Sequence, residues 1–87
     1  MHSETDAVLG AAVARLAGRY SLSKREAEVA LCCAAGLTNA AIALKLKVSA
    51  ETIKFHLRNI YLKVGVDRRA QLIVLALIPD YEAGAMD

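Results

Sequence analysis

A chain of 87 residues can form one small domain, but it is too short for two hydrophobic cores or for a deep cleft between two lobes. Alanine supplies much of its 56% apolar content, and the single proline, the lack of tryptophan and the many alanine and leucine residues favour an all-α domain. The net charge is only +2, but residues 21–77 carry nine basic side chains against four acidic ones, which favours a polyanionic partner.

Two helices are predicted in the first part of the chain. Apolar residues at helical spacing over residues 5–19 predict an N-terminal helix that stops at Gly18. Ser23 is followed three residues later by Glu26, the spacing of a capping box, and this pair predicts the start of a second helix. Gly36 is suited to the left-handed turn that ends it.

Three further helices are predicted at short intervals. Thr38 is expected to cap a short third helix, and Ser49 is expected to cap a long fourth helix that ends before Gly65. Asp67 is predicted to cap a fifth helix, which Pro79 closes. The short third helix, a turn of about three residues and the long fourth helix form a helix-turn-helix arrangement, in which the second helix enters a DNA major groove.

The predicted fourth helix has two faces of different character. An apolar stripe at the spacing of one helix face is expected to pack on the domain: Ile53, Leu57, Ile60 and Val64. The other half of the helix carries an aromatic residue among cations: Lys54, Phe55, Arg58 and Lys63. Such a ring is unexpected on a face that meets only water, so this face is a candidate binding surface.

Residues 22–77 resemble the LuxR-type (GerE-like) DNA-binding domain of bacterial transcription regulators. The residues that match its pattern, in register and without a gap, are Arg25, Glu26, Glu28, Gly36, Asn39, Ile42, Ala43, Leu46, Ser49, Thr52, Lys54, His56, Ile60, Lys63, Gly65 and Arg69. The resemblance implies a four-helix domain over residues 21–78, preceded by an extra N-terminal helix or linker over residues 1–20 and followed by a flexible acidic tail over residues 79–87. One departure is Ala40-Ala41, where the family usually has Lys-Glu.

The resemblance also implies which residues contact duplex DNA. It makes residues 50–64 the recognition helix, with groove-facing positions at Lys54, Phe55 and Arg58. The positions that approach phosphates, or complete the DNA-binding set, are Thr52, Asn39, Lys63 and Arg69. Lysine and arginine neutralise phosphates or bond guanine, and an aromatic ring can lie against a thymine methyl group. The alternative for Phe55 is a surface aromatic that leans over the third helix.

The predicted fifth helix is apolar on every side, whereas a small domain can bury only one side of it. In the resembling family the last helix commonly mediates dimerisation. A twofold partner is therefore expected to cover the remainder, through Leu72, Ile73, Leu75 and Ala76. The alternative is that the N-terminal helix folds back over this surface in a monomer.

Other kinds of protein are less well supported by the sequence. Cys32 and Cys33 are adjacent, with no third cysteine to complete a zinc set, and are expected to be buried in a reduced cytoplasmic protein rather than to sense oxidants. His56 has no evident nucleophile or metal set near it, so neither an enzyme nor a cofactor, metal or small-molecule ligand is predicted. The longest apolar run, residues 72–78, is far short of the ~20 residues that span a bilayer.

The resulting prediction is a cytoplasmic DNA-binding transcription regulator of LuxR type, an effector domain of the kind found in response regulators. Its expected partners are double-stranded DNA and a second copy of the chain, with RNA polymerase a further candidate. Two alternatives remain open at this point. One is a σ-factor-like region that reads a promoter element, and the other is a helical protein-interaction module whose basic face meets an acidic protein.

Overall fold

Five helices follow one another in the computed structural model, which describes residues 4–78 and the side chains from residue 8 onward. They are α1 (Glu4–Tyr20), α2 (Lys24–Ala34), α3 (Asn39–Leu46), α4 (Ala50–Val64) and α5 (Arg69–Leu77). No strand occurs in this part of the chain, so the predicted all-α fold of four helices preceded by an extra N-terminal helix is confirmed. Pro79 and the predicted acidic tail, residues 79–87, lie outside the described residues.

Three of the four predicted N-terminal caps are present. The side-chain oxygens of Ser23, Thr38 and Ser49 each accept the backbone N–H three residues further on, at 3.0, 3.1 and 3.0 Å. At Ser23 the capping box is complete, because the carboxylate of the third helical residue accepts the Ser23 backbone N–H in return. Gly36 and Gly65 have φ of 89° and 84°, the left-handed conformation predicted for the ends of α2 and α4.

Two predicted helix boundaries are wrong. α1 continues through Gly18 to Tyr20, so the cost of one glycine inside a helix, about 1 kcal/mol, does not end it. Asp67 does not cap α5: its backbone N–H donates instead to Oε1 of Gln71 at 3.2 Å. Arg68 occupies the cap position, without a side-chain hydrogen bond to the helix.

α2 lies at the centre of the fold and packs against each of the other four helices. The largest fully buried side chains come from all five helices and form one core: Leu16, Val29, Cys33, Ile42, Ile53, Ile60, Leu72 and Leu75. α3 packs directly on α4 and thereby orients the long helix. None of the described helices combines the length and apolar character needed to cross a membrane.

The buried face of α5 changes the interpretation of its apolar sequence. Leu72, Leu75 and Ala76, three of the four predicted dimerisation residues, are buried in their own domain because α5 packs along α2. Only Ile73 of that set is partly exposed. The surface that α5 leaves uncovered is formed instead by Ile73, Val74, Leu77 and Ile78.

α1 accounts for part of the cover that α5 needs. It packs on α2, and the Nη2 atom of Arg15 donates to the carbonyl oxygen of Ala76 at 3.1 Å, in the last turn of α5. A cation at the C-terminal end of a helix is favourable, because the last carbonyl groups lack partners within the helix. The N-terminal helix therefore meets the end of α5 through this hydrogen bond, as the monomer alternative expected. Leu77 nevertheless remains 61% exposed.

Candidate nucleic-acid interface

The connection between α3 and α4 is short and well defined. Lys47 ends α3 in the left-handed conformation, with φ of 62°, and Ser49 caps α4 two residues later. Between them, the backbone N–H of Val48 donates to the carbonyl oxygen of Ala43 at 3.0 Å. The three-residue turn holds the two helices in the predicted helix-turn-helix arrangement.

The inner face of α4 fixes the rotation of the helix about its axis. Ile53 and Ile60 are fully buried, and Leu57 is nearly so, which confirms the apolar stripe. Near the C-terminal end, Nζ of Lys63 lies 2.8 Å from Oε1 of Glu26, whose carboxylate is itself buried. This ion pair joins the end of α4 to the start of α2, so the outer face of α4 cannot turn inward.

The outer face of α4 presents the three predicted groove-facing residues to solvent. Phe55 is 55% exposed, and the ring contact recorded for it is with His56, at 6.0 Å between centroids. Lys54 lies 3.3 Å from Glu51, an exposed pair of little energetic weight. The side chain of Arg58 is exposed and makes no hydrogen bond or ion pair with any described residue. The structure thus brings an open aromatic ring and an unpaired guanidinium onto one helix face.

Two other predicted DNA-binding residues bind each other. Arg69, at the start of α5, donates from Nη1 to Oδ1 of Asn39 at 2.8 Å and from Nη2 to the carbonyl oxygen of Leu37 at 2.6 Å. These bonds join the start of α5 to the start of α3, and both are partly buried. Arg69 and Asn39 therefore have a structural role that the sequence did not reveal, and their contact with phosphates stays a prediction.

The hydroxyl group of Thr52 also has a partner within the chain. Its Oγ1 lies 2.9 Å from Oγ of Ser49, and its backbone N–H is capped by the same oxygen. Lys63 is likewise engaged, through Glu26. Thr52 and Lys63 thus fix the two ends of α4, while their predicted phosphate contacts remain untested.

Two exposed lysines of the helix-turn-helix, one on α3 and one in the turn before α4, were absent from the predicted set. The side chains of Lys45 and Lys47 are exposed and make no hydrogen bond or ion pair with any described residue. Lys47 lies in the turn between α3 and α4, where its cation can reach a phosphate group without breaking a contact in the protein. Their position on the helix-turn-helix was the sequence signal that could have found them.

The two adjacent cysteines lie in the interior of the domain, on α2. Both thiols are buried, as predicted, and burial raises the pKa of the Cys32 and Cys33 thiols above the ordinary value. Cys32 also lines an open apolar groove between α1, α2 and α3. The described residues hold no cluster of histidine, cysteine or acidic residues that could bind a metal ion.

The Glu26 carboxyl group, which pairs with Lys63 at the end of α4, is expected to make the stability of the domain depend on pH. Burial alone would raise its pKa, but the hydrogen bonds from Lys63 and from the Ser23 backbone hold the pKa below the ordinary value of a glutamate. A carboxyl group whose pKa is lowered by folding contributes stability above its unfolded pKa. That contribution is lost as the pH falls through the folded pKa.

We expect Glu26→Gln to lower the free energy of unfolding at pH 7 by about 1–3 kcal/mol, because a neutral amide cannot hold Lys63 as strongly. The variant should also lose less stability than the wild type between about pH 5 and pH 3. Urea denaturation across this pH range measures both effects. Glu28→Gln is the matched control, since Glu28 pairs with exposed Arg25 at 3.3 Å. Parallel pH profiles for the wild type and Glu26→Gln would contradict the assignment.

Comparison with known proteins gives a consistent result. The model of the family "Bacterial regulatory proteins, luxR family" matches residues 20–76. The chain is 44% identical over 55 residues to the probable transcriptional regulatory protein SgaR of Hyphomicrobium methylovorum, covering 63% of this chain and 26% of that protein. It has the same identity and coverage with the nitrate/nitrite response regulator protein homolog of Haemophilus influenzae.

A third relative is the transcriptional activator protein EsaR of Pantoea stewartii subsp. stewartii, 38% identical over 61 residues, with 70% of this chain and 24% of that protein covered. The chain thus spans about a quarter of the length of these relatives. No solved structure matches the chain.

Proposed function

Because the chain belongs to the luxR family of bacterial regulatory proteins, we propose that it binds duplex DNA by inserting the outer face of α4 into the major groove. The observation that carries this proposal is the state of that face. Phe55 is exposed and the Arg58 side chain has no partner among the described residues, while the opposite face of the helix is packed into the core. The face is therefore available to a ligand without any rearrangement of the domain.

The chemistry of this face fits the edges of base pairs and the phosphates beside them. Arg58 can donate two parallel hydrogen bonds to O6 and N7 of guanine, and the Phe55 ring can contact a thymine methyl group. Lys54 can contact DNA after losing only its exposed ion pair with Glu51. Lys47, in the turn before α4, can neutralise a phosphate, which would set the position of α4 without reading sequence.

We expect Arg58→Ala and Lys54→Ala each to weaken duplex binding by about 1–3 kcal/mol, because each removes a cation from the proposed groove face. Fluorescence anisotropy with labelled duplexes measures the change. Arg25→Ala is the control, since it removes the same charge from an exposed pair on α2. Equal losses for Arg25→Ala and Arg58→Ala would show a diffuse charge effect and contradict a specific role for α4.

We further propose that the chain pairs with a second copy through the exposed part of α5 and binds two half-sites. The support is an apolar surface that the domain leaves uncovered, formed by Ile73, Val74, Leu77 and Ile78. Leu72, Leu75 and Ala76 are buried within the domain, so the proposed contact uses the exposed residues of α5 in their place.

Leu77→Glu is expected to lower self-association at least tenfold, since a carboxylate would have to lose its water in the interface, at a cost of more than about 1.4 kcal/mol. Sedimentation velocity over a range of concentrations measures this change. Leu44→Glu, at an exposed leucine on α3, is the matched control. A monomeric wild type, or a dimer that Leu77→Glu leaves intact, would contradict pairing through α5.

The family is one of bacterial regulators rather than of enzymes, and with duplex DNA as the target we propose that the chain acts in the bacterial cytoplasm. Contact with RNA polymerase and a role within a response regulator stay predictions. A helical module that binds an acidic protein is less well supported, because acidic side chains alone do not account for an exposed aromatic ring beside an unpaired arginine.

A further inference from the structure

Leu62 is an exposed apolar residue in the last turn of α4. Its side chain is 77% exposed and lies outside the core, although its neighbours Tyr61 and Val64 pack against the core. A single exposed leucine is common on protein surfaces, so exposure alone would mean little. The position of Leu62 relative to the proposed groove face is what gives it significance.

Leu62 follows Phe55 by seven residues, two turns of the helix. At 3.6 residues per turn, the two side chains point in directions that differ by about 20°, and Arg58 lies between them. The rise between them is about 10 Å, close to the height of three base pairs at about 3.4 Å each. The outer face of α4 is thus a continuous surface in which an unpaired cation separates two apolar groups.

The orientation of Leu62 is fixed by contacts on both sides of it. Ile60 is fully buried, and Lys63 is held to Glu26 at 2.8 Å. The last turn of α4 therefore cannot rotate to bring Leu62 into the core. A leucine held outward on this face, beside Phe55 and Arg58, is available to an apolar group of the ligand. The apolar group that a major groove offers is the C5 methyl of thymine.

We propose that Leu62 is a second specificity-determining residue, which favours a thymine at a base pair separate from the one contacted by Phe55. This inference rests on the proposed insertion of α4 into the major groove. The proposal predicts that the protein prefers particular bases at two separate positions, and that a thymine methyl group is recognised at each. Arg58 then contacts the base pairs between them.

The test combines selection of bound fragments from random duplexes with replacement of single thymines by uracil, which removes only the methyl group. Each selected thymine is replaced in turn, and affinity is measured for the wild type, Leu62→Ala, Phe55→Ala and Leu44→Ala. Leu44 is the control, since it is exposed on α3. Thermal unfolding of each variant checks that the fold is retained.

We expect replacement of one thymine to weaken wild-type binding about fourfold, the effect of one buried methyl group, and to leave Leu62→Ala nearly unaffected. Phe55→Ala should lose its preference at a different position, and Leu44→Ala should behave as the wild type. Two results would overturn the inference when the wild type selects a sequence. In the first, Leu62→Ala keeps the same preference and the same uracil penalty, and in the second, Leu62→Ala weakens binding to all duplexes equally. In those cases the proposed function stands, whereas a wild type that binds no duplex at low salt would overturn both.

Discussion

Replacing Leu75 with glutamate is expected to unfold the domain. The Leu75 side chain is 1% exposed and lies in the core that α5 forms with α2. A carboxylate placed there, without a partner, costs several kcal/mol, and domains of this size are stable by only about 5–15 kcal/mol. Far-ultraviolet circular dichroism at 25 °C should show loss of the helical signal, and thermal denaturation should show no cooperative transition.

Leu77→Glu makes the same chemical change two residues away and should leave the helical signal intact. The difference arises because Leu77 is 61% exposed, so its carboxylate remains in water. The pair of variants distinguishes the residues of α5 that pack in the core from those that are exposed to a partner. A folded, monomeric Leu75→Glu protein of wild-type stability would show that Leu75 faces a partner rather than the core, and would contradict the packing of α5.

Arg69→Ala is expected to lower the free energy of unfolding by about 2–4 kcal/mol. The substitution removes two hydrogen bonds from a charged donor, one to Asn39 and one to the carbonyl oxygen of Leu37. Hydrogen bonds to charged groups each contribute about 1.5–3 kcal/mol, and partly buried acceptors left without a donor add to the loss. Urea denaturation at neutral pH measures the change.

Arg68→Ala is a close control for this effect. Arg68 precedes Arg69 in the chain, but its side chain is exposed and lies 3.9 Å from Asp67, so its loss should change stability by less than about 0.5 kcal/mol. If Arg69→Ala retained wild-type stability and instead lost DNA affinity as Arg58→Ala does, the structural role would be contradicted. The phosphate contact implied by the resemblance would then be the better explanation.

The parts of the fold that depend on neighbouring residues could be predicted from the sequence. Ser23, Thr38 and Ser49 cap helices through hydrogen bonds that span three residues, so the sequence contains all the information needed to locate them. The two faces of α4 follow from helical periodicity alone. The prediction that Asp67 caps α5 was wrong, because a cap depends on local geometry as well as on residue type. The backbone N–H of Asp67 donates to the side chain of Gln71 instead.

The parts that depend on long-range packing could not be predicted. Lys63 and Glu26 are 37 residues apart, and Arg69 and Asn39 are 30 residues apart, so charge and spacing did not reveal that these side chains meet. The same limit applied to α5, whose sequence is apolar on all sides. Its rotation on α2 determines that Leu75 is buried and that Leu77 is not.

The most direct test of DNA binding through α4 is the salt dependence of duplex affinity for the wild type and Arg58→Ala. On a plot of log affinity against log salt, each cation that neutralises a phosphate makes the negative slope steeper by about 0.9. The wild type should therefore bind tightly at low salt and lose affinity steeply and linearly on this plot. Arg58→Ala should bind more weakly at every salt concentration. An absence of duplex binding at low salt, or a slope near zero with no effect of Arg58→Ala, would contradict the account.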